Sequence, residues 1–383
     1  MACIIFKLSR RFVATGLAVA GLSLAMPASV VQADEPIKVG LVAALSGQSA
    51  KSGEAIIRGL SVAIDEINAA GGIKGRKLEL VSRDDESNPG KGLLAARELV
   101  QREKVAALFG GLDTPVSLAI VPFVNQAKVP FMGVWAAGTN ITRNGAQDNF
   151  VFRVSAVDAF VGEALVDYAV SKKSAKAPGM ILINNPWGES NEHALQDALK
   201  KRNMKAVGVE KFETNDVDVV PQLTRLKQAG ADTLFLVANV APSSQVVKSL
   251  ERMGWDVPIV SHWGPSGGRF TELAGPRSEA VHFIQTFTFT GKQSAKASDL
   301  YAKLQTKYNV KSLADVMPAT GIANAYDAMH LVALALAKSE STGDLLVTVE
   351  VAVPAKLSGA ERKALEAFQA AGDGASPRER LGV

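Results

Sequence analysis

The residues whose chemistry could support catalysis are few, and their spacing does not fit a catalytic site. The histidines of the chain are His193, His262, His282 and His330. Their separations match no metal-ligand motif. Gly264-Pro-Ser-Gly-Gly268 has the spacing of G-x-S-x-G, but that pattern alone does not define a nucleophile turn, and the chain contains no glycine-rich phosphate loop. We therefore predict a protein that is not an enzyme and that needs no metal or cofactor.

Composition and charge exclude further classes of function. The single cysteine, Cys3, lies in the N-terminal leader, so disulfides, cysteine-ligated zinc and a cysteine nucleophile are excluded from the mature chain. The net charge of +4 falls close to zero without the basic residues of the leader, which argues against a nucleic-acid partner. The acidic run Asp84-Asp85-Glu86 fits a solvated strand end at least as well as a functional cluster.

The first 33 residues have the order of a secretory signal. Lys7, Arg10 and Arg11 precede an apolar run over residues 12–26, and small residues at 31–33 offer a cleavage site before Asp34. The apolar run is short for a membrane span, which needs ~20 apolar residues. We predict cleavage after residue 33 and a periplasmic location. The sequence leaves the Sec and twin-arginine export routes open.

Strand-like and helix-like segments alternate through the rest of the chain. Strands are predicted over residues 37–42, 77–82, 105–109, 129–134, 150–154, 180–184, 207–212, 233–237, 259–261 and 281–288. Helices are predicted over residues 53–68, 92–103, 114–126, 160–171, 189–202, 219–228, 243–253, 295–308 and 321–338. This alternation predicts an α/β protein with two doubly wound parallel-sheet lobes.

Ligands of such folds bind outside the carboxyl ends of the strands. The loops that follow the strands are therefore the candidate functional segments. They are Ala43–Gly53, Gly110–Thr114, Val134–Thr142, Asn184–Glu189, Val237–Ser243 and Ser261–Gly268.

Several motifs occur in the order found in one protein family. They are Lys38-Val-Gly-Leu-Val, Leu45-Ser-Gly, Ala63-Ile-Asp-Glu-Ile-Asn-Ala-Ala-Gly-Gly-Ile-Lys-Gly75, Asp84-Asp-Glu-Ser-Asn-Pro89, Pro130-Phe131, Phe152-Arg153, Trp187-Gly188 and Tyr326-Asp-Ala328. Over residues 36–339 the chain resembles the Leu/Ile/Val-binding branch of type I periplasmic binding proteins.

The resemblance implies a hinged trap in which two lobes close on a ligand. The first lobe would comprise residues 34–155 and 290–340, and the second residues 156–289, with crossings near 155–158 and 287–291. A monomer would capture a small organic ligand and deliver it to the membrane permease of an ABC importer. The alternative is a binding protein that presents its ligand to a signalling receptor.

In the first lobe the resemblance places Asp113 and Thr114 in the Ser/Thr-rich loop that holds the ligand's carboxylate. Thr114 keeps a hydroxyl, whereas a carboxylate at Asp113 would repel that of a ligand. Asp113 could equally act as the N-cap of the following helix. Ala136 and Ala137 match a loop whose backbone contacts the ligand. Thr139 could add a hydroxyl to that loop.

The remaining candidates are mostly aromatic. Trp135 could pack against the ligand or wall off the cleft, and Trp187 matches an aromatic that covers the ligand. Asn239 lies in the corresponding loop of the second lobe.

The main departure from the family is at Ser261-His-Trp263, where amino-acid binders carry an acidic residue for the ligand's ammonium. Trp263 in its place suggests an apolar or aromatic acid, an amide, or an amino acid held by a cation–π contact. His262 fits either a site residue or a structural histidine.

The resemblance is expected to end near residue 340. Gly343–Pro354 and Leu357–Phe368 are similar instead to the last strand and helix of the client-binding domain of DnaJ-type co-chaperones. Residues 341–383 are therefore interpreted as an atypical tail, either foreign to the family or a divergent native end, without co-chaperone activity.

Overall fold

A computed structural model describes residues 35–339 of the chain. The predictions for the leader (residues 1–33) and for the tail (residues 341–383) lie outside these residues. The sheet nearer the N-terminus contains β1 Ile37–Ala43, β2 Leu78–Asp84, β3 Leu108–Gly110, β4 Phe131–Gly133 and β5 Val151–Arg153. All its neighbouring strands are parallel, in the order β2-β1-β3-β4-β5. The near-continuous apolar run of β1 is buried, as expected for a central strand covered on both faces.

The second sheet repeats this arrangement with later strands. It contains β6 Pro178–Ile183, β7 Gly208–Phe212, β8 Thr233–Val237, β9 Ile259–Ser261 and β10 Val281–Phe283. Its order is β7-β6-β8-β9-β10, again entirely parallel. Counted from its own first strand, each sheet therefore has the doubly wound order 2-1-3-4-5. The predicted fold class is confirmed.

Helices cover both sheets. They are α1 Ala50–Ala69, α2 Pro89–Gln101, α3 Thr114–Ala127, α4 Thr139–Thr142, α5 Asp158–Lys173, α6 Pro186–Lys200, α7 Val220–Gln228, α8 Val240–Arg252, α9 Phe270–Ala274, α10 Ala295–Tyr308 and α11 Ala319–Lys338. We call β1–β5 with α1–α4, α10 and α11 the first lobe, and β6–β10 with α5–α9 the second lobe.

Helices α1 and α11 approach each other closely on the first lobe. A Cβ added at Gly59 would lie 2.1 Å from the Ile322 carbonyl oxygen, so only glycine permits this spacing. Glu66 of α1 accepts hydrogen bonds from Tyr326 Oη and Lys303 Nζ, both at 2.8 Å. Burial alone would raise the pKa of Glu66, but the bonds from Lys303, Tyr326 and Lys296 lower it to about 2. This carboxylate ties α1 to α10 and α11.

Several element boundaries differ from those predicted, and the differences at α2, α6 and β10 have identifiable causes. Helices α2 and α6 begin three residues earlier than predicted, because Pro89 and Pro186 occupy the first helical turn and Asn88 and Asn185 cap the helices with their side chains. Strand β10 ends at Phe283 rather than at residue 288, because the chain leaves the sheet there and returns toward α10 of the first lobe.

Candidate functional site

The carboxyl ends of the strands from both lobes line one small cavity. The lining residues are Leu112, Asp113, Thr114, Pro115, Trp135, Ala136, Ala137, Asn185, Trp187, Asn239 and Trp263. Asp113 follows β3 and Asn239 follows β8, which are the strands beside the reversal of strand order in each sheet, where doubly wound folds bind ligands. The cavity measures about 20 Å³, which is room for one water molecule. A larger ligand therefore requires the lobes to separate.

Asp113 occupies the N-cap position of α3, but its side chain makes no capping hydrogen bond. Its Oδ1 accepts a hydrogen bond of 3.2 Å from Asn239 Nδ2 of the second lobe. Its Oδ2 is buried and makes no hydrogen bond to any described residue. Burial raises the pKa of Asp113, and the Ser87 hydroxyl and the Asn239 amide offset only part of that effect. The side chain therefore joins the lobes and leaves one acceptor atom unused.

A second buried carboxyl group lies near Asp113. Asp85 is fully buried, and its Oδ1 accepts a hydrogen bond of 2.8 Å from the backbone N–H of Ser87. Its Oδ2 has no partner among the described residues. Burial and the negative charges of Asp113 and Asp84 raise the pKa of Asp85 to about 7, against the bond from Ser87. The acidic run thus contains a buried group, and of the two interpretations left open for the run, the solvated strand end does not fit Asp85.

Trp187 is fixed by the start of α6. The Asn185 side chain accepts hydrogen bonds from the backbone N–H groups of Trp187 and Gly188, at 2.9 and 3.1 Å. A Cβ added at Gly188 would lie 1.8 Å from the Ile183 carbonyl oxygen, so glycine is required for this tight turn. The Trp187 side chain is buried at 7% exposure, and its Nε1 has no hydrogen-bond partner in the described part of the chain. The site therefore contains an unpaired donor as well as an unpaired acceptor.

The loop after β4 forms the floor of the cavity. Arg153 donates to the carbonyl oxygens of Ala156 (3.1 Å) and Gly138 (2.7 Å), and Ser155 Oγ donates to that of Ala136 (3.0 Å). Thr114 Oγ1 accepts from the Gly138 N–H at 3.3 Å. Burial lowers the pKa of Arg153 to about 10, partly offset by the charge of Asp158, so the guanidinium stays protonated at neutral pH. Carbonyl groups hold this half-buried cation, and the cation in turn holds the loop.

Trp263 connects the two lobes. It follows β9 of the second lobe, yet its ring is 1% exposed and packs within the apolar core of the first lobe together with Trp135 and Ala137. Close by, Ser52 Oγ of α1 donates a hydrogen bond of 3.0 Å to the Gly267 carbonyl oxygen. The cavity is thus closed by apolar burial as well as by the Asp113–Asn239 hydrogen bond.

His262 lies behind the tryptophans and does not line the cavity. Its Nδ1 accepts from the Trp263 backbone N–H at 2.8 Å, and its Nε2 lies 3.0 Å from Asp158 Oδ1. Because a backbone N–H only donates, the ring proton is on Nε2 and points at Asp158. The ring also makes edge contacts with Trp187 and Trp263. Of the two interpretations, the structure favours the structural histidine.

Thr139 also lies outside the cavity lining. Its Oγ1 accepts from the Ala159 N–H at 3.2 Å, and its own N–H donates to Ser190 Oγ at 3.1 Å, so it bridges the lobes at the rim. The other eight predicted site residues converge on the cavity. Leu112, Pro115 and Asn185 were missed. The Asn-Pro pair at a helix start was the available signal for Asn185, whereas nothing in the sequence distinguishes Leu112 and Pro115 from core residues.

A wider cavity of about 490 Å³ lies between α1 and the segment that contains α9. Among its charged residues, Glu54 pairs with Lys51 (2.9 Å) and Arg58 (2.6 Å), and Arg269 pairs with Glu272 (2.7 Å). In the smaller cavity, Asp113 Oδ2 and Trp187 Nε1, one from each lobe, have no hydrogen-bond partner among the described residues. Within residues 35–339, no group of three or more histidine, aspartate or glutamate side chains could hold a metal ion. No helix in that range is long and apolar enough to cross a membrane.

Two parallel-sheet lobes that enclose a cavity with unpaired polar atoms define a protein that binds a small solute between its lobes. The profile of the family described as "Periplasmic binding protein" matches residues 36–372. The chain belongs to this family, and its function is that of a periplasmic solute-binding protein. The match continues past residue 340, where the resemblance was expected to end, and it gives no support to a co-chaperone-like tail.

Relatives and solved structures agree with this assignment. Leu/Ile/Val-binding protein homolog 3 of Brucella melitensis is 26% identical over 317 residues, which are 83% of this chain and 82% of the relative. The branched-chain amino acid transporter substrate binding protein LivJ of Streptococcus pneumoniae, solved with isoleucine, is 29% identical, with a TM-score of 0.71 over 80% of this chain and 86% of its own. A solute binding protein of R. palustris, solved with 4-hydroxybenzoate, shares the fold at 23% identity and a TM-score of 0.69, over 79% and 81% of the two chains.

Proposed function

We propose that this chain is the periplasmic component of an ABC importer, that it captures a small organic ligand by closure of its lobes, and that it delivers the ligand to the importer's permease as a monomer. The observation that carries the proposal is the cavity at the facing carboxyl ends of the two sheets, which holds a buried acceptor and a buried donor that have no partner within residues 35–339. Unpaired buried polar groups are unfavourable, so a ligand that enters between the separated lobes and pairs with both groups would stabilise the lobes closed around it.

The relatives indicate two ligand classes. LivJ was solved with isoleucine, and the R. palustris protein with 4-hydroxybenzoate. The ligand of this chain is then a branched-chain amino acid, an aromatic or aliphatic acid, or an amide of similar size. We propose Asp113, Thr114, Trp135, Ala136, Ala137, Trp187, Asn239 and Trp263 as the residues that contact it, with His262 and Thr139 supporting them.

The lobes of this trap would be residues 34–155 with 290–340, and residues 156–289. Residues 1–33 would direct export and be removed. The proposed function includes no enzymatic activity, because the family is one of binding proteins.

Titration of the intrinsic tryptophan fluorescence tests the proposal, since three tryptophans line the cavity. The protein is purified from the periplasm of an expressing bacterium and titrated with amino acids, amides and carboxylic acids. We expect saturable binding of at least one class and an N-terminus at Asp34. Folded protein that responds to no compound, or that remains in the cytoplasm with residues 1–33 attached, would contradict the proposal.

A further inference from the structure

Two unpartnered polar atoms belong to residues on opposite sides of the cavity and have opposite hydrogen-bonding character. Asp113 Oδ2 in the first lobe is an acceptor, and Trp187 Nε1 in the second lobe is a donor. Neither atom makes a hydrogen bond to any described residue. A ligand that pairs with both must therefore offer a donor to one lobe and an acceptor to the other.

The negative charge behind Asp113 is not balanced by the protein. Asp85 is buried close enough to Asp113 for the two carboxyl groups to repel each other, and Asp84 adds to the repulsion. None of the ion pairs formed by residues 35–339 includes any of these three aspartates. Their hydrogen-bond partners are backbone N–H groups, hydroxyls and the Asn239 amide. A ligand group that brings positive charge or an N–H donor would relieve the repulsion, whereas a carboxylate would increase it.

The remaining walls are mainly apolar. Trp135 and Trp263 contribute indole faces, and Leu112, Pro115 and the two alanines complete the lining. Such walls suit an aliphatic or flat aromatic body and discriminate poorly between the two shapes. Selectivity would then depend on the polar end of the ligand.

We propose that the cleft selects ligands with a nitrogen donor, an ammonium or a primary amide, that is accepted by Asp113, together with an oxygen that accepts from Trp187 Nε1. This inference rests on the proposed function and narrows its ligand class to amino acids or amides. Carboxylic acids without a nitrogen donor are excluded as preferred ligands.

One competing arrangement uses the same residues. If Asp113 were protonated in the complex, its O–H could donate to a ligand carboxylate and the cleft would prefer acids. Substitution of Asp113 by asparagine separates the two cases, because asparagine keeps the shape, removes the charge and supplies a donor. An acid-binding site would then keep or gain affinity for acids, while a nitrogen-binding site would lose affinity for its ligand.

Matched ligand pairs provide the test by isothermal titration calorimetry at pH 7.5. The pairs are leucine with 4-methylpentanoate, and benzamide with benzoate. For at least one pair we expect the nitrogen-bearing member to bind at least tenfold more tightly. Asp113→Asn should weaken binding of that ligand at least tenfold and reduce the difference in affinity between the two members of the pair. Trp187→Phe, which keeps an aromatic ring but loses the N–H, should weaken binding of that ligand several-fold. Asp197→Asn on the exposed face of α6 should leave the affinity unchanged.

Each outcome has a separate meaning. Tighter binding of the carboxylate in wild-type protein, or unchanged affinity for the nitrogen-bearing ligand in Asp113→Asn, overturns this inference and leaves the solute-binding function intact. Binding of neither member of either pair by folded protein counts against both. If Asp113→Asn does not fold, the affinities of wild-type protein for the matched ligands and the affinity of Trp187→Phe still test the inference.

Discussion

Each lobe has a site with buried acidic side chains, and the two sites differ in whether a basic side chain pairs with the acid. In the second lobe, Asp158 is fully buried and receives a hydrogen bond from His262. In the first lobe, Asp85 and Asp113 lie close to each other and no basic side chain of the described residues pairs with either. Removing the donor of a buried acid is strongly destabilising, whereas a buried acid that no basic side chain pairs with reduces stability and is available to a ligand. The presence of a basic partner, rather than burial, therefore distinguishes structure from site.

The largest expected effect concerns the paired acid. His262→Phe keeps an aromatic ring between the tryptophans but leaves Asp158 buried without its donor. We expect a loss of about 3–5 kcal/mol in the free energy of unfolding, measured by urea denaturation. His193→Phe on the exposed side of α6 is the matched control. A loss below that of the control would show that the Asp158–His262 pair contributes nothing, and the comparison would fail.

Asp85, which has no basic partner, should lower the free energy of unfolding, by an amount that depends on pH. The pKa of Asp85 is about 7 in the folded protein and about 3.9 in an unfolded chain. Between these values the unfolded chain binds fewer protons, so stability falls as pH rises from about 4 to about 7 and then levels off. The free energy of unfolding should fall by up to about 4 kcal/mol over this pH range.

Urea unfolding of ligand-free protein across this pH range measures the effect. Asp85→Asn removes the titrating group while its amide oxygen can still accept from the Ser87 N–H, so it should flatten the slope and be more stable than wild type at pH 8. Identical pH profiles for Asp85→Asn and wild type would show that the buried acid is compensated by another group.

A smaller effect is expected at Arg153, a half-buried cation whose guanidinium donates hydrogen bonds to the loop after β4. Arg153→Met preserves much of the side-chain volume but removes the hydrogen bonds to the loop after β4. We expect a loss of about 2 kcal/mol in stability, accompanied by weaker ligand binding because that loop lines the cavity. Arg202→Met, which removes an exposed ion pair with Asp167, should cost less than about 1 kcal/mol. Equal costs for the two variants would refute a positioning role for Arg153.

Short-range patterns were sufficient to predict the fold. Alternating apolar segments gave both parallel sheets, and the order of strands and helices placed the candidate loops at the sheet edges that line the cavity. The helix starts at Pro89 and Pro186 were placed too late, because the apolar periodicity begins after the capping turn.

The chemistry of the site was harder to predict. Asp113 and the three tryptophans were predicted from the family resemblance and line the cavity, but the role of His262 depends on Asp158, which is 104 residues away in the chain. Likewise, the burial of Asp85 results from packing between α2 and α3, and a run of three acidic residues resembles a solvated turn. Partners that are distant in sequence are determined by the assembled lobes and leave no local signal.

The burial of Trp263 in the opposite lobe affects the rate of ligand capture. Separation of the lobes transfers this indole from an apolar core into water, so the closed form is favoured even before a ligand arrives. A ligand then has to wait for spontaneous opening, and the observed association rate should reach a plateau at high ligand concentration instead of rising linearly. Trp263→Ala would raise the plateau by easing opening. One aromatic side chain thus sets how quickly the protein responds when its solute appears.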